Sequence, residues 1–366
     1  MPTKLKSLQA CRGLAALLVL LFHATEVSRV YLKYDLLHGI FLFGYSGVDF
    51  FFVLSGFIIF WVHRRDVGHP EVLKPYFRKR FIRIYPLYWF VFVVLLPIYF
   101  GVPRNFRDCL ILLKSFLLLP QASNPLVTVA WSLSSELFFY GLFGLAIYLP
   151  WKRTRPLFLL LLLVTTVFYS AKLLNHGTFH MSPHTGFVFS SYNLEFAMGC
   201  LAAYLARRLR PNGCRWLAVI GLMCFLICGL NENLLYAHFR QQHAILAYGL
   251  PSMLLVWGAV QWEQSAGKMI PPFLLLLGDA SYSIYLTHYA LLDLVVRGSI
   301  ALEIVAWAGQ TLVISMTIAL TITIGVLFHM FIEKPLLSCL RKLGKDGYPA
   351  THQPAPVGSV PEGTCG

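Results

Sequence analysis

The chain has 366 residues, of which 57% are hydrophobic and only 13% charged, with a formal net charge of +14. Soluble domains carry about 25% charged residues, so this composition, with a mean hydropathy of +0.66, excludes an ordinary soluble enzyme. The apolar stretches are rich in Leu, Phe and Gly and do not alternate with polar residues. That excludes a transmembrane β-barrel and leaves an all-α, polytopic membrane protein.

The positive charge reads as the excess of Lys and Arg on cytoplasmic loops. It does not require nucleic acid, and no nucleic-acid partner is expected. Cys11, Cys109, Cys200, Cys214, Cys224, Cys228, Cys339 and Cys365 are scattered and form no CxxC pair. They suggest neither a zinc site nor a disulfide framework.

Apolar segments run at roughly 9–26, 39–62, 84–101, 107–119, 130–150, 156–173, 187–206, 215–231, 243–260, 272–296 and 304–332. Eleven crossings would put the two basic termini on opposite sides. Lys4 and Lys6 at one end, and Arg341, Lys342 and Lys345 at the other, belong together in the cytoplasm. The segment 107–119 is too short to span about 30 Å and carries Lys114, so it is expected to be re-entrant or interfacial. Ten spans remain. Most Lys and Arg then fall inside, and the exceptions are Arg29, Lys33, Arg104, Arg107, Lys114, Lys172, Arg240 and Arg297. The expected organisation is one transmembrane domain over 1–343 and a polar, Gly- and Pro-containing disordered tail over 344–366. No cleavage site follows the first segment, so it is expected to stay as a span.

The first segment contains RGLAALLVLLFH, from Arg12 to His23. Eleven positions at 100° return to nearly the same helix face, with a rise of about 16 Å. Ionisable groups at membrane depth cost about 2.5–3.5 kcal/mol each on insertion scales, so they mark function by default. His23 reads as a general base or as an interfacial histidine, with Glu26 one turn on. Arg12 reads as its partner on the same face or as a snorkelling cation.

The second segment reads GVDFFFVLSGFII. Asp49 lies at membrane depth as a substrate contact or a buried interhelical hydrogen bond, and Ser55 and Gly56 read as packing residues. Before the third span, YFRKRFIRIYPLYW sets Arg80 and Arg83 on one helix face. They form either a fork for phosphates or ordinary inside charge.

WSLSSELFFY brings Glu136, which could orient an imidazole or bind a hydroxyl, unless Ser132 with Ser135 or Glu136 simply caps the helix. GDASYSIYLTHY supplies Tyr282, Tyr285 and a second proton carrier, His288. Glu195 and Asp293 read as structural. His176, His180 and His184 recur at fours, but Gly177 and Pro183 interrupt a helix there, so no metal is expected. No phosphate loop, dinucleotide fingerprint or nucleophile elbow is present.

Taken together, R-x10-H, GVDFFFVLSGF, the Arg80–Arg83 pair before RIYPLYW, WSLSSELFFY, ASYSIYLTHY and the closing IEKP of Ile332–Pro335 resemble the acyltransferase-3 family of membrane O-acyltransferases. The resemblance runs from about residue 4 to 341 and is nearest to the exopolysaccharide-production group. It implies transfer of an acyl group, usually acetyl from acetyl-CoA, to a carbohydrate hydroxyl, with no permanently bound cofactor. By matching position it implies His23 as the catalytic histidine supported by Arg12, and Arg80 and Arg83 serving the donor, with Glu136 inside a family motif. Asp49, Tyr282 and His288 are the expected substrate contacts.

The expected setting is a cell inner (plasma) membrane, with the bilayer, acyl-CoA, a carbohydrate acceptor and polysaccharide-synthesis machinery as partners. His23 as base and His23 as transient acyl carrier both fit. Two other readings use the same residues: a carrier or flippase for a lipid-linked or acylated saccharide, and a non-catalytic scaffold.

Overall fold

A computed structural model describes residues 5–174, 182–209, 215–235, 244–266 and 270–343. His176, His180 and the tail 344–366 lie outside the described residues. Helices dominate, and no strand occurs among the described residues. They are α1 (Lys6–Val27), α2 (Gly47–His63), α3 (Leu73–Tyr99), α4 (Phe106–Phe116), α5 (Trp131–Tyr148), α6 (Trp151–Leu174) and α7 (Pro183–Val188). There follow α8 (Tyr192–Arg208), α9 (Arg215–Leu235), α10 (Leu250–Ala266), α11 (Pro272–Ala301), α12 (Ile304–Ala308), α13 (Gln310–Phe328) and α14 (Lys334–Lys342).

Eight helices among the described residues are long and apolar enough to cross a bilayer: α1, α2, α3, α5, α6, α9, α10 and α13. Two of the ten expected spans fall short of that standard. α8 has only 17 residues, and α11 carries Asp279, His288, Asp293 and Arg297 along its thirty. Both pack along other helices, α8 on α2 and α11 on α1. A helix shielded by protein needs fewer apolar residues than one facing lipid.

Glycines set these two pairings. A Cβ on Gly13 would stand 2.8 Å from Gly278 N, and one on Gly278 would stand 2.0 Å from Gln9 O. The α1 and α11 backbones therefore touch, as small residues permit within membranes. Gly13 meets Gly278, and ten residues on His23 meets His288, so the two helices run parallel. Likewise a Cβ on Gly199 would stand 1.8 Å from Val53 O, while Cys200 Sγ donates to Gly56 O and Arg207 to Trp61 O. α2 and α8 are also parallel. α9 and α10 run antiparallel, with Gly221 against Leu255 and Gly258 against Ala218.

α4 matches the expected short segment. Its eleven residues rise about 16 Å, and it is not among the helices able to cross. Asn105 caps its start by accepting from Asp108 N at 2.9 Å. Its end is tied to α3, where Tyr88 donates to Ser115 O (2.5 Å), Trp89 to Phe116 O (3.0 Å) and Tyr85 to Leu117 O (3.1 Å). The aromatic run of α3 thus satisfies carbonyls that a helix end leaves open.

Candidate active site

Five helices converge on one cavity of about 770 Å³ of atom-free space. α1 contributes Arg12, α3 contributes Arg80 and Arg83, α5 contributes Glu136 and Tyr140, and α11 contributes Tyr282 and Tyr285. α2 lines the same space with Ser55, whose expected role was packing alone. Among the described residues, none of Arg12, Arg80 and Arg83 forms an ion pair. Arg12 lies within electrostatic reach of Arg83, Glu136 and Glu333, and Tyr140 donates its hydroxyl to Glu136.

Arg80 is held by rings rather than by a carboxylate. Its guanidinium carbon stands 5.1 Å from the Tyr140 ring centre and 5.5 Å from that of Tyr76. Its Nε is buried without a hydrogen-bond partner. Three cations against one cavity carboxylate make a site for an anion, and a buried donor without an acceptor is costly until something fills it.

Further along α1 and α11 lies a second cluster. The His23 and His288 rings are 5.2 Å apart, and Tyr289 meets His23 edge-on at 5.2 Å. Glu26 Oε2 stands 3.3 Å from His23 Nδ1, an ion-pair distance but off the line of a hydrogen bond. His288 is fully buried. Its Nδ1 faces Tyr285 O at 2.7 Å and Ile284 O at 3.2 Å. Carbonyls only accept, so Nδ1 carries the proton and Nε2 keeps its lone pair. That Nε2 has no hydrogen-bond partner among the described residues.

Arg12 and His23 therefore share a helix face but not a cavity, since His23 does not line the arginine-rich space. Tyr285 joins the two places. Its ring lines the cavity and lies 5.7 Å from that of His288.

The other expected residues are placed as follows. Tyr282 lines the cavity with its ring, but its hydroxyl donates to Ile84 O at 2.9 Å and is not free to hold an oxyanion. Asp49 is buried on α2 outside the cavity, and Glu195 is buried on α8, the helix packed against it. No donor meets the buried Glu195 oxygens among the described residues.

Ser132 does not cap α5. Ala130 holds the cap position without a side-chain bond, and Ser132 Oγ pairs with Tyr285 Oη at 2.7 Å and donates to Val129 O. Among the described residues, no three metal-ligating side chains converge.

The sequence reading passed over Tyr140 and Glu333. Tyr140 sits one turn beyond Glu136, a spacing that puts the two on one face. Glu333 lies in a π-helical turn, His329–Glu333, a feature frequent at functional sites. It is buried and meets Ser283 Oγ at 2.6 Å and His329 Nδ1 at 2.8 Å.

These features define an integral-membrane helical protein with a cationic interior. A family model described as an acyltransferase domain matches residues 5–329, and the chain belongs to this acyltransferase-3 family of membrane O-acyltransferases. It is 29% identical over 334 residues to the exopolysaccharide production protein ExoZ of Rhizobium meliloti (strain 1021), covering 87% of this chain and 94% of that one. Over 155 residues it is 31% identical to the acyltransferase MdmB of Streptomyces mycarofaciens, 39% of each chain. No solved structure matches.

Proposed function

We propose that the protein transfers an acetyl group from cytosolic acetyl-CoA to a hydroxyl of an exported or cell-surface carbohydrate. The observation that carries this reading is the set of three guanidinium groups on one cavity, none with an ion pair among the described residues. Coenzyme A brings several phosphate charges, and Arg binds phosphate bidentately. Arg80 and Arg83 hold the donor phosphates, and Arg12 adds positive charge from α1 on the same cavity. An extended pantetheine arm of about 15 Å covers the rise of about 16 Å between Arg12 and His23, passing Tyr285.

His23 takes the proton of the acceptor hydroxyl. The alkoxide oxygen attacks the thioester carbonyl, the carbon–sulfur bond breaks, and the CoA thiolate leaves and recovers a proton from the histidine. Glu26 orients His23, and the unpartnered His288 Nε2 accepts a hydrogen bond from a hydroxyl seated beside it. Glu136, held by Tyr140, balances the arginine charge. The closeness of the two imidazoles, 5.2 Å between ring centres, favours the base role over a covalent acyl-histidine, because His288 can hold a neighbouring hydroxyl while His23 takes the proton.

Helix directions support the topology. For α1 and α11 to run parallel, an odd number of crossings must separate them. α2, α3, α5, α6, α8, α9 and α10 supply seven, with α4 staying on one side. A tenth crossing by α13 returns both termini to the cytoplasm of an inner membrane. The arginine cavity then faces the donor compartment, and the histidines face outward.

The test is thiol release by purified protein in nanodiscs given acetyl-CoA and oligosaccharide. Acceptor-dependent release with an acetylated saccharide by mass spectrometry is expected. Export of saccharide without thiol release would overturn the reading.

A further inference from the structure

We propose that the outward cavity bounded by Glu26, Tyr31, Glu232, Asn233 and Tyr289 is the acceptor site, shaped for an uncharged segment of a saccharide. The inference rests on the acyl-transfer reading above and adds the place where the second substrate binds.

The cavity is open to its surroundings and larger than the arginine cavity, with room for a sugar ring. Its chemistry is the reverse of the donor cavity. The carboxylates Glu26 and Glu232 and the Asn233 amide supply acceptors for hydroxyl donors. Its one cation, Arg29, donates to Asp35 at 2.6 Å. That bond holds the Asp35 carboxyl below its ordinary range. A phosphate would find no uncommitted positive partner here.

The polar groups are fixed from behind. Both Glu232 oxygens receive the Tyr45 hydroxyl, at 2.9 and 3.0 Å, and Tyr248 donates to one of them as well. Asn233 Nδ2 donates to Ile40 O at 2.7 Å, which sets the direction of the carbonyl end. Tyr31 gives its hydroxyl to Asp293 at 2.8 Å and offers its ring. Tyr289 has no hydroxyl partner among the described residues. Preset acceptors beside aromatic faces suit a sugar ring, which has polar edges and apolar faces.

Position completes the case. Glu26 lines this cavity and stands 3.3 Å from His23 Nδ1, and Tyr289 lines it and meets the His23 ring edge-on at 5.2 Å. His23 does not itself line the cavity, and a saccharide seated here lies against Glu26 and Tyr289, the two lining residues that contact the His23 ring.

Binding is measured apart from catalysis. Cellotetraose and galactotetraose, each up to about 10 mM, are titrated calorimetrically into the protein in nanodiscs without donor. At least one binds wild type. Asn233→Leu and Glu232→Gln each weaken it about tenfold, the worth of one or two hydrogen bonds. Glu232→Gln keeps an oxygen for Tyr45 and Tyr248, so it guards against a variant that fails to fold. In thiol-release assays both variants raise the saccharide KM and leave the acetyl-CoA KM unchanged. Absence of binding by both probes, equal binding by wild type and variants, or a shift in donor KM instead overturns the assignment. Saccharide binding with no thiol release from any protein sinks the transfer reading and leaves the pocket.

Discussion

α6 and α11 are both long helices of the same bundle, and they are opposites. In α6, only 6% of the most apolar window is buried, and its mean hydropathy is 2.2. It faces outward almost all round. α11 fails the criterion for a span, yet it buries Ser281, Ser283, Tyr285, His288 and Asp293 against its neighbours. A helix plainly visible to hydropathy carries none of the proposed chemistry, and one that is not visible carries much of it. Polar residues survive at membrane depth where another helix supplies partners. Low apolarity in a packed span therefore marks the working face.

The largest expected effect sits on α1, against that face of α11. His23→Ala should cut acetyl transfer by about 10²–10⁴-fold while leaving folding and insertion intact, read by thiol release and by size-exclusion of the purified protein. Wild-type rates in this variant would remove the base. Next, Arg80→Ala with Arg83→Ala should raise the acetyl-CoA KM about 10–100-fold, the loss of charge-assisted hydrogen bonds, with the saccharide KM unchanged. A shift in acceptor KM alone would reassign the arginines.

Packing comes third. Gly278→Leu must part α1 from α11 and should lower stability by about 1–3 kcal/mol, read as a lower Tm. It should also drop kcat by moving His288 away from His23. On α6 the same kind of disturbance should be nearly silent. Leu160 is 56% exposed, and Leu160→Ala should stay within about 0.5 kcal/mol. A large loss there would show that α6 has a protein partner and would weaken the contrast.

The sequence made the fold class legible because lipid imposes a simple rule on composition. The short 107–119 segment was legible from length alone. Arg12, Arg80, Arg83 and Glu136 were legible as candidates because charge in an apolar run stands out, and the structure brings those four to one cavity. What the sequence could not show was pairing over long separations. Cys200 meets Gly56 O from 144 residues away, and the Gly13–Gly278 contact depends on two helices at opposite ends of the chain. Local rules also misled at Ser132, where a capping pattern lost to a partner on α11. Hydroxyl commitments such as Tyr282 to Ile84 O are set by neighbouring backbone, which no motif records.

Asp293 has a mechanical consequence. One carboxylate oxygen takes the Tyr31 hydroxyl from the turn after α1, and the other takes Tyr99 from the end of α3 and sits 3.3 Å from Arg297 on α11 itself. A single side chain thus rivets three helices together at one rim. A rocking carrier would have to shear that rivet on every cycle. On the proposed function, a rim locked in this way suits a fixed window through which only the small acyl group changes hands.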